Sequence, residues 1–194
     1  MINMNESPKP VIFLDRDGTL TKNPDLTWQE SQLELAGGIA EEITQCNDAG
    51  IPVIVITNQP VIARGWVTEA GVHKLHETLN ERLGAHGARI DAFYFCPHHP
   101  EATLAAYRTQ CDCRKPAIGL FKKAAHDFPI DFAQSFMIGD MTQDILAGKN
   151  AGTKTVLILA GHGGTDGKYE IAPDYTAKTA AEAVGIARET IAAN

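Results

Sequence analysis

No apolar run in this 194-residue chain approaches the roughly 18 residues that a membrane-spanning helix needs. The two that stand out, Val11-Ile12-Phe13-Leu14 and Val53-Ile54-Val55-Ile56, have the length of strands. The basic surplus that nucleic-acid binding leaves on a sequence is missing too, since the formal net charge is -7. Residues 1–10 contain neither the cationic region nor the apolar stretch of a signal peptide. They read as a loose polar arm over 1–9, and the protein reads as cytoplasmic, with no membrane and no nucleic-acid partner. Repeats and low-complexity linkers are absent, which predicts one domain over 1–194; a 44% hydrophobic content suffices for a substantial core. Cysteine is scarce, at four, yet three of the four fall between positions 96 and 113.

What is present begins with Val11-Ile12-Phe13-Leu14-Asp15-Arg16-Asp17-Gly18-Thr19-Leu20, a strand run that ends in two carboxylates one residue apart. Strand side chains alternate faces, so Asp15 and Asp17 point the same way only where the chain runs extended beyond the sheet or leaves it between them. Gly18 supplies the turn. Two carboxylates that close need a cation or a shared proton to coexist, and Mg²⁺ takes carboxylate and phosphate oxygens together. Taken alone, Asp-x-Asp-Gly is better explained as an Asp-rich turn.

The order of later segments favours the chemical reading. Ile51 to Gln59 is a second buried strand run ending in Thr57 and Asn58, donors suited to an anion. Cys113-Arg114-Lys115-Pro116 brings two cations, and Ser135-Phe136-Met137-Ile138-Gly139-Asp140 is a further strand ending in Asp, with Asp144 four residues on. Between these, alternating patterns predict strands at 11–15, 52–57, 91–95, 134–139 and 154–159. Helices are predicted near 38–49, closed by Gly50, near 68–84, begun by Thr68, and near 117–127, 142–151 and 179–192. Such alternation implies an α/β fold, a Rossmann-like parallel sheet with helices on both faces, whose ligands bind beyond the carboxyl ends of the strands. The connections around the second strand are too short for a large cap domain, so loops 21–36 and 60–67 are expected to shape an open site.

Asp-x-Asp-Gly-Thr, Thr-Asn-Gln, Arg-Lys-Pro and Gly-Asp-x-x-x-Asp, in that order over residues 11 to about 150, resemble the haloacid dehalogenase-like phosphohydrolases. The resemblance implies Mg²⁺ dependence and an aspartyl-phosphate intermediate. On that pattern Asp15 is the nucleophile and Asp17 the general acid and base; Asp15, Asp17 and Asp140 hold Mg²⁺, and Asp144 supports them. Thr57, Asn58 and Lys115 bind the transferring phosphoryl group, and Arg16, Gln59, Arg64 and Arg114 complete the expected substrate-binding set.

Cys96-Pro97-His98-His99-Pro100 followed by Cys111-Asp112-Cys113 is a thiolate and imidazole set suited to tetrahedral Zn²⁺. Free thiols and a disulfide are the alternatives, and a cytosolic compartment disfavours the disulfide. Within the superfamily this loop looks like that of the heptose bisphosphate phosphatases, with histidinol-phosphate phosphatases carrying a shorter relative of it. The match falls on Cys96, His98, Cys111 and Cys113 as zinc ligands rather than on His99. It implies a structural ion that orders the loop carrying Arg114 and Lys115. It also implies a small sugar-phosphate substrate, with release of the C7 phosphate of a heptose 1,7-bisphosphate in the supply of ADP-heptose for surface polysaccharide, by a monomer. Histidinol phosphate or another small phosphosugar as substrate, then 3′-phosphorylated polynucleotides and silent binding of a phosphosugar, are the competing readings.

The chain departs from that pattern where substrate choice is made. Pro60-Val61 replaces the usual Ser-Gly, Met141 a common Lys, and Thr21 a usual Asn. Pro60 lacks an amide N–H and has a fixed φ, so this loop is expected to be stiffer and one donor poorer. His73 and His76, three apart on a helix, are expected to face solvent. Cys46 is expected to act as a small buried hydrophobe.

Overall fold

A computed structural model describes residues 7–193. Six strands, β1 (Ile12–Leu14), β2 (Val53–Asn58), β3 (Ala92–Cys96), β4 (Phe136–Gly139), β5 (Lys154–Ile158) and β6 (Tyr175–Ala177), form one sheet in the order β3-β2-β1-β4-β5-β6. Every pairing is parallel. The central strands β1, β2 and β4 are buried along their whole length, which is why they read as unbroken apolar runs rather than alternating ones.

Helices cover both faces. On one, α1 (Ile39–Asp48), α3 (Glu69–Gly84) and α6 (Ala180–Ala192) pack Ile43, Leu79 and Val184 against Leu14 and Val55. On the other, α4 (Gly119–Asp127) and α5 (Thr142–Ala151) set Leu120, Phe121 and Ala147 against Phe13 and Met137. The Phe13 and Phe121 rings meet edge to face at 4.9 Å. The chain winds outward from β1 in one direction and from β4 in the other, so the space above the carboxyl ends of β1 and β4 is the topological switch point of the sheet. Among the described residues no large cap domain interrupts this scheme.

The helix boundaries follow the caps. Thr68 accepts a hydrogen bond from the Gly71 amide at 3.1 Å and opens α3, while Gly50, at φ 70°, turns the chain out of α1. Among the strands and α-helices, two were not anticipated. One is β6, three residues long with Tyr175 and Thr176 exposed, too short and too wet to carry an apolar run. The other is α2 (Pro60–Ala63), a single buried turn inside the expected loop 60–67, with Pro60 at its first position, where a missing N–H costs nothing. The expected arm over 1–9 is shorter than drawn at its inner end. The Lys9 amide donates to Pro129 O and Lys9 O accepts from the Asp131 amide, each at 2.9 Å. Residues 1–6 of that arm lie outside the described residues.

Candidate active site

Strand ends and the loops beyond them bring the acidic residues together. Asp15 follows β1 and Asp140 follows β4, whereas Asp144 lies in the first turn of α5. Each offers a carboxylate oxygen, and the three oxygens lie within 4.8 Å of one another. Lys115, wholly buried, reaches them from the loop before α4. Its Nζ lies 2.7 Å from Asp15 Oδ1 and 2.7 Å from Asp144 Oδ1 and donates to Ile56 O at 2.9 Å. Burial alone would push the Lys115 ammonium down, but the fields of Asp144 and Asp15 override it and hold the group above its usual range. Burial pushes Asp144 up to about 6 against the pull of Lys115. Asp144 is thus a buried ion-pair partner, not a solvated helix charge.

Asp140 is fully buried, and burial pushes it up to about 7 even though the His162 amide donates to its Oδ2 at 2.8 Å. Its Oδ1 has no hydrogen-bond partner among the described residues. A buried carboxylate oxygen left unmatched is costly. Asp15, Asp140 and Asp144 supply the all-oxygen set that hard cations such as Mg²⁺ prefer. Two glycines leave the room: a Cβ on Gly18 (φ 77°) or on Gly161 (φ 68°) would stand 2.4 Å from Asp140 Oδ2.

Asp17 is held from behind. Arg16 donates from Nε to Asp17 Oδ1 at 2.9 Å and from Nη2 to Oδ2 at 2.8 Å, and Gln59 Nε2 donates to Oδ2 at 3.2 Å. Arg16 also donates to Thr27 O and to Gln59 Oε1. Arg16 and Gln59, expected at the substrate, are both fully buried, with their polar atoms spent on Asp17, Thr27, Thr57 and each other. The physical reason for Arg16 is its place between two carboxylates that share a side. It projects the other way, under the loop. His76 is corrected, being buried beneath Arg16 with its Nε2 3.5 Å from Arg16 Nη1 and its ring stacked on Phe93 at 4.5 Å. Cys46 is buried as expected, and burial raises its thiol to about 12.

Asp15 and Asp17 open into a cleft of about 250 Å³ that is also lined by Thr57, Asn58, Arg64 and Arg114. Asn58 spends its side chain on Lys115, whose amide donates to Asn58 Oδ1 at 2.9 Å while Asn58 Nδ2 donates to Lys115 O at 3.2 Å. Thr57 Oγ1 accepts from Gln59 Nε2 at 2.9 Å, which leaves its own proton to donate. Pro24, Asp25 and Leu26 from loop 21–36, with Pro60 and Arg64 from 60–67, form the rim as anticipated. His99, Gln143, His162 and Lys168 join the lining unforeseen. Only His162 carried a signal, the glycines around it.

Beside this cleft Cys96, His98, Cys111 and Cys113 converge. Cys113 Sγ lies 3.1 Å from Cys96 Sγ, 3.3 Å from Cys111 Sγ and 3.4 Å from His98 Nδ1, and Cys96 Sγ lies 3.5 Å from Cys111 Sγ. Sulfurs that far apart are not bonded; all four cysteines are free. Ligands around one tetrahedral Zn²⁺ would stand about 3.5–3.8 Å apart, so the set is nearly closed on a metal-sized centre. The close Cys96–Cys113 contact, with His98 and Cys111 adding to it, holds the Cys113 thiol down to about 5 and pushes the Cys96 thiol up. His99 points elsewhere and accepts from the Glu101 amide at 3.1 Å. Arg114, adjacent to Cys113, is tied to the cluster by a 3.2 Å bond from Nη1 to His98 O.

A HAD-hydrolase-like family model matches residues 112–183. The D-glycero-beta-D-manno-heptose-1,7-bisphosphate 7-phosphatase of Rhodopseudomonas palustris is 44% identical over 144 residues, 74% of this chain and 80% of the relative. That of Haemophilus ducreyi is 40% identical over 152 residues, 78% and 83% of the two chains. This chain belongs to the heptose bisphosphate phosphatase family of haloacid dehalogenase-like hydrolases. In structure the chain is similar to the D,D-heptose 1,7-bisphosphate phosphatase of B. bronchiseptica, solved with magnesium and phosphate. The TM-score is 0.81 at 26% identity over 91% of this chain and 97% of the other. A putative haloacid dehalogenase-like phosphatase of Mesorhizobium loti matches at the same TM-score, 28% identical over 96% and 87%.

Proposed function

We propose that this chain, working as one domain, is a Mg²⁺-dependent phosphoric monoester hydrolase that removes the C7 phosphate of D-glycero-D-manno-heptose 1,7-bisphosphate. The observation that carries the chemistry is the buried Asp15–Lys115–Asp144 chain at the floor of a cleft, beside Asp140 with an unmatched oxygen. Family membership supports the substrate. The relatives' names specify the β-anomer, which makes it the first anomer to assay.

Asp15, anchored by Lys115, attacks phosphorus in line, and the P–O bond to C7 breaks. Asp17 gives its proton to the departing alkoxide, then takes one from the water that attacks the aspartyl-phosphate, so that phosphate leaves and both carboxyl groups are restored. Arg16 and Gln59 keep the Asp17 carboxylate turned toward that path. Thr57 and Lys115 stabilise the phosphoryl oxygens as charge shifts among them. Asp15, Asp140 and the Asp17 main chain would hold Mg²⁺, with Asp144 behind them; bound there, the ion would neutralise phosphate charge and fix the approach.

The second phosphate, at C1, belongs at the cationic rim, where Arg114 and Arg64 face the cleft and Lys168 lies near. Cys96, His98, Cys111 and Cys113 would hold a structural Zn²⁺: four protein ligands leave no position for water or substrate. Its part is to order the loop that carries Arg114 and Lys115. A cytoplasmic location, a monomeric state and a product passed on toward ADP-heptose belong to the same reading.

The test is a phosphate-release comparison with the bisphosphate, heptose 7-phosphate, histidinol phosphate and 3′-phosphorylated DNA. The bisphosphate is expected to have the highest kcat/KM. A monophosphate that matches it would refute the substrate assignment and leave the fold and chemistry standing.

A further inference from the structure

The only two tryptophans of the chain, Trp28 and Trp66, meet behind the rim residues Leu26 and Arg64, ring centroids 4.7 Å apart and 53° between planes. They come from the two loops that shape the cleft. Trp28 follows Pro24, Asp25 and Leu26 and packs on the small apolar cluster of Val61, Ile62 and Val72. Trp66 is 47% exposed, with its outer face under the Arg64 guanidinium, whose carbon lies 4.9 Å from the ring centroid. Gly65, at φ 74°, makes this possible: it reverses the chain so that residues 64 and 66 stack, while the Trp66 amide closes on Val61 O at 3.0 Å.

Arg64 makes no side-chain hydrogen bond or ion pair among the described residues. No carboxylate among the described residues is paired with it, and Arg114 lines the same cleft. Two guanidiniums that repel across a cleft await an anion, and a long side chain with no polar partner pays rotamer entropy when an anion fixes it. A ring face that already restrains the guanidinium reduces that cost.

We propose that Trp66, braced by Trp28, is a positioning residue for the phosphate remote from the reacting centre: the indole face presets Arg64 toward it. The inference rests on the bisphosphate reading above and deepens it. Because the contact concerns the remote group, losing it weakens binding of the bisphosphate without touching the atoms at Asp15.

The test compares wild type, Trp66→Ala and Trp66→Phe on the bisphosphate and on heptose 7-phosphate. Trp66→Ala is expected to raise KM for the bisphosphate about fivefold, equivalent to about 1 kcal/mol, with kcat within twofold. KM for heptose 7-phosphate should move less than twofold, and Trp66→Phe should recover most of the loss. A second readout needs no turnover. In Asp15→Asn combined with Trp28→Phe, Trp66 is the sole indole, and its emission should change as the bisphosphate saturates and much less with heptose 7-phosphate. An unchanged KM in Trp66→Ala, an equal rise for both sugars, a phenylalanine variant as poor as alanine, or a silent indole would each overturn the inference. If wild type itself treats the two sugars alike, the bisphosphate reading falls first and takes this inference with it.

Discussion

Lys115 Nζ stands 2.7 Å from Asp15 Oδ1, the ammonium wholly buried and the carboxylate showing only an edge to the cleft. A buried ammonium is tolerable only because Asp15 and Asp144 share it, and removing one partner of such a pair typically costs about 3–5 kcal/mol. Lys115→Met should therefore lower unfolding stability in urea by about that amount and abolish turnover. Lys115→Met combined with Asp144→Leu should lose less stability than the sum of the single variants. Additive losses would mean that the two do not act as a pair.

Asp15 and Asp17 differ in what their amides should do. Asp15→Asn removes the nucleophile and should leave no measurable hydrolysis. Asp17→Asn removes only proton transfer and should slow turnover by roughly 10²–10⁴-fold. Acid-quenched phosphoenzyme, followed with radiolabelled substrate, should be trapped in Asp17→Asn and absent in Asp15→Asn. Normal activity in Asp15→Asn would end the aspartyl-phosphate scheme.

The thiol and imidazole cluster predicts one Zn²⁺ per chain. Metal analysis of Cys111→Ser and Cys113→Ser should show its loss. Hydrogen exchange should then rise across 96–115, because metal binding and local folding are coupled. Activity should fall through the displaced Arg114 and Lys115. Protein purified without chelator that holds no zinc would refute the site.

His76 makes stability depend on pH. Burial, then the charges of Arg16 and His73, lower the imidazole to about 2, against about 6.5 in an unfolded chain. Between those values the unfolded state binds the extra proton, so stability is full above about 6.5 and falls as pH drops below it. His76→Gln, which can still accept from Arg16, removes that proton. Its stability difference between pH 7.5 and pH 5 should be smaller than that of wild type by about 1–2 kcal/mol, measured from urea midpoints. Equal differences would show that His76 is not buried neutral.

The same histidine shows where sequence reading stops. Spacing placed His73 and His76 on one face of α3 but could not say that Phe93 of β3 and the Arg16 guanidinium close over the second of them. The parallel sheet, Asp15, Asp140 and the cysteine cluster were legible because strand runs ending in acid, and thiols spaced around a loop, are local patterns. The partners of Arg16 and Gln59, namely Asp17, Thr27 and each other, were not legible because they are set by how two loops cross. Lys168 and Gln143 carried no pattern at all; only the return of the chain after β5 and the start of α5 bring them to the cleft. Nothing local to Trp66 tells that Gly65 folds it beneath Arg64.

Gly161 offers the most local test of the metal site. A Cβ there would stand 2.4 Å from Asp140 Oδ2, and φ of 68° is a region that L side chains rarely adopt. Gly161→Ala should therefore cost about 1 kcal/mol or more in stability and turn Asp140 away from the His162 amide that now fixes it. With Asp15 and Lys115 untouched, the chemistry should survive at saturating metal. The apparent affinity for Mg²⁺ should fall, about tenfold for each 1.4 kcal/mol by which Asp140 is misaligned. Titration of activity with MgCl₂ separates the two effects: a right-shifted curve reaching near wild-type rate supports Asp140 as the metal carboxylate. A curve with the same midpoint and a lowered plateau would instead place the loss in the reacting groups and leave Asp140 without that part.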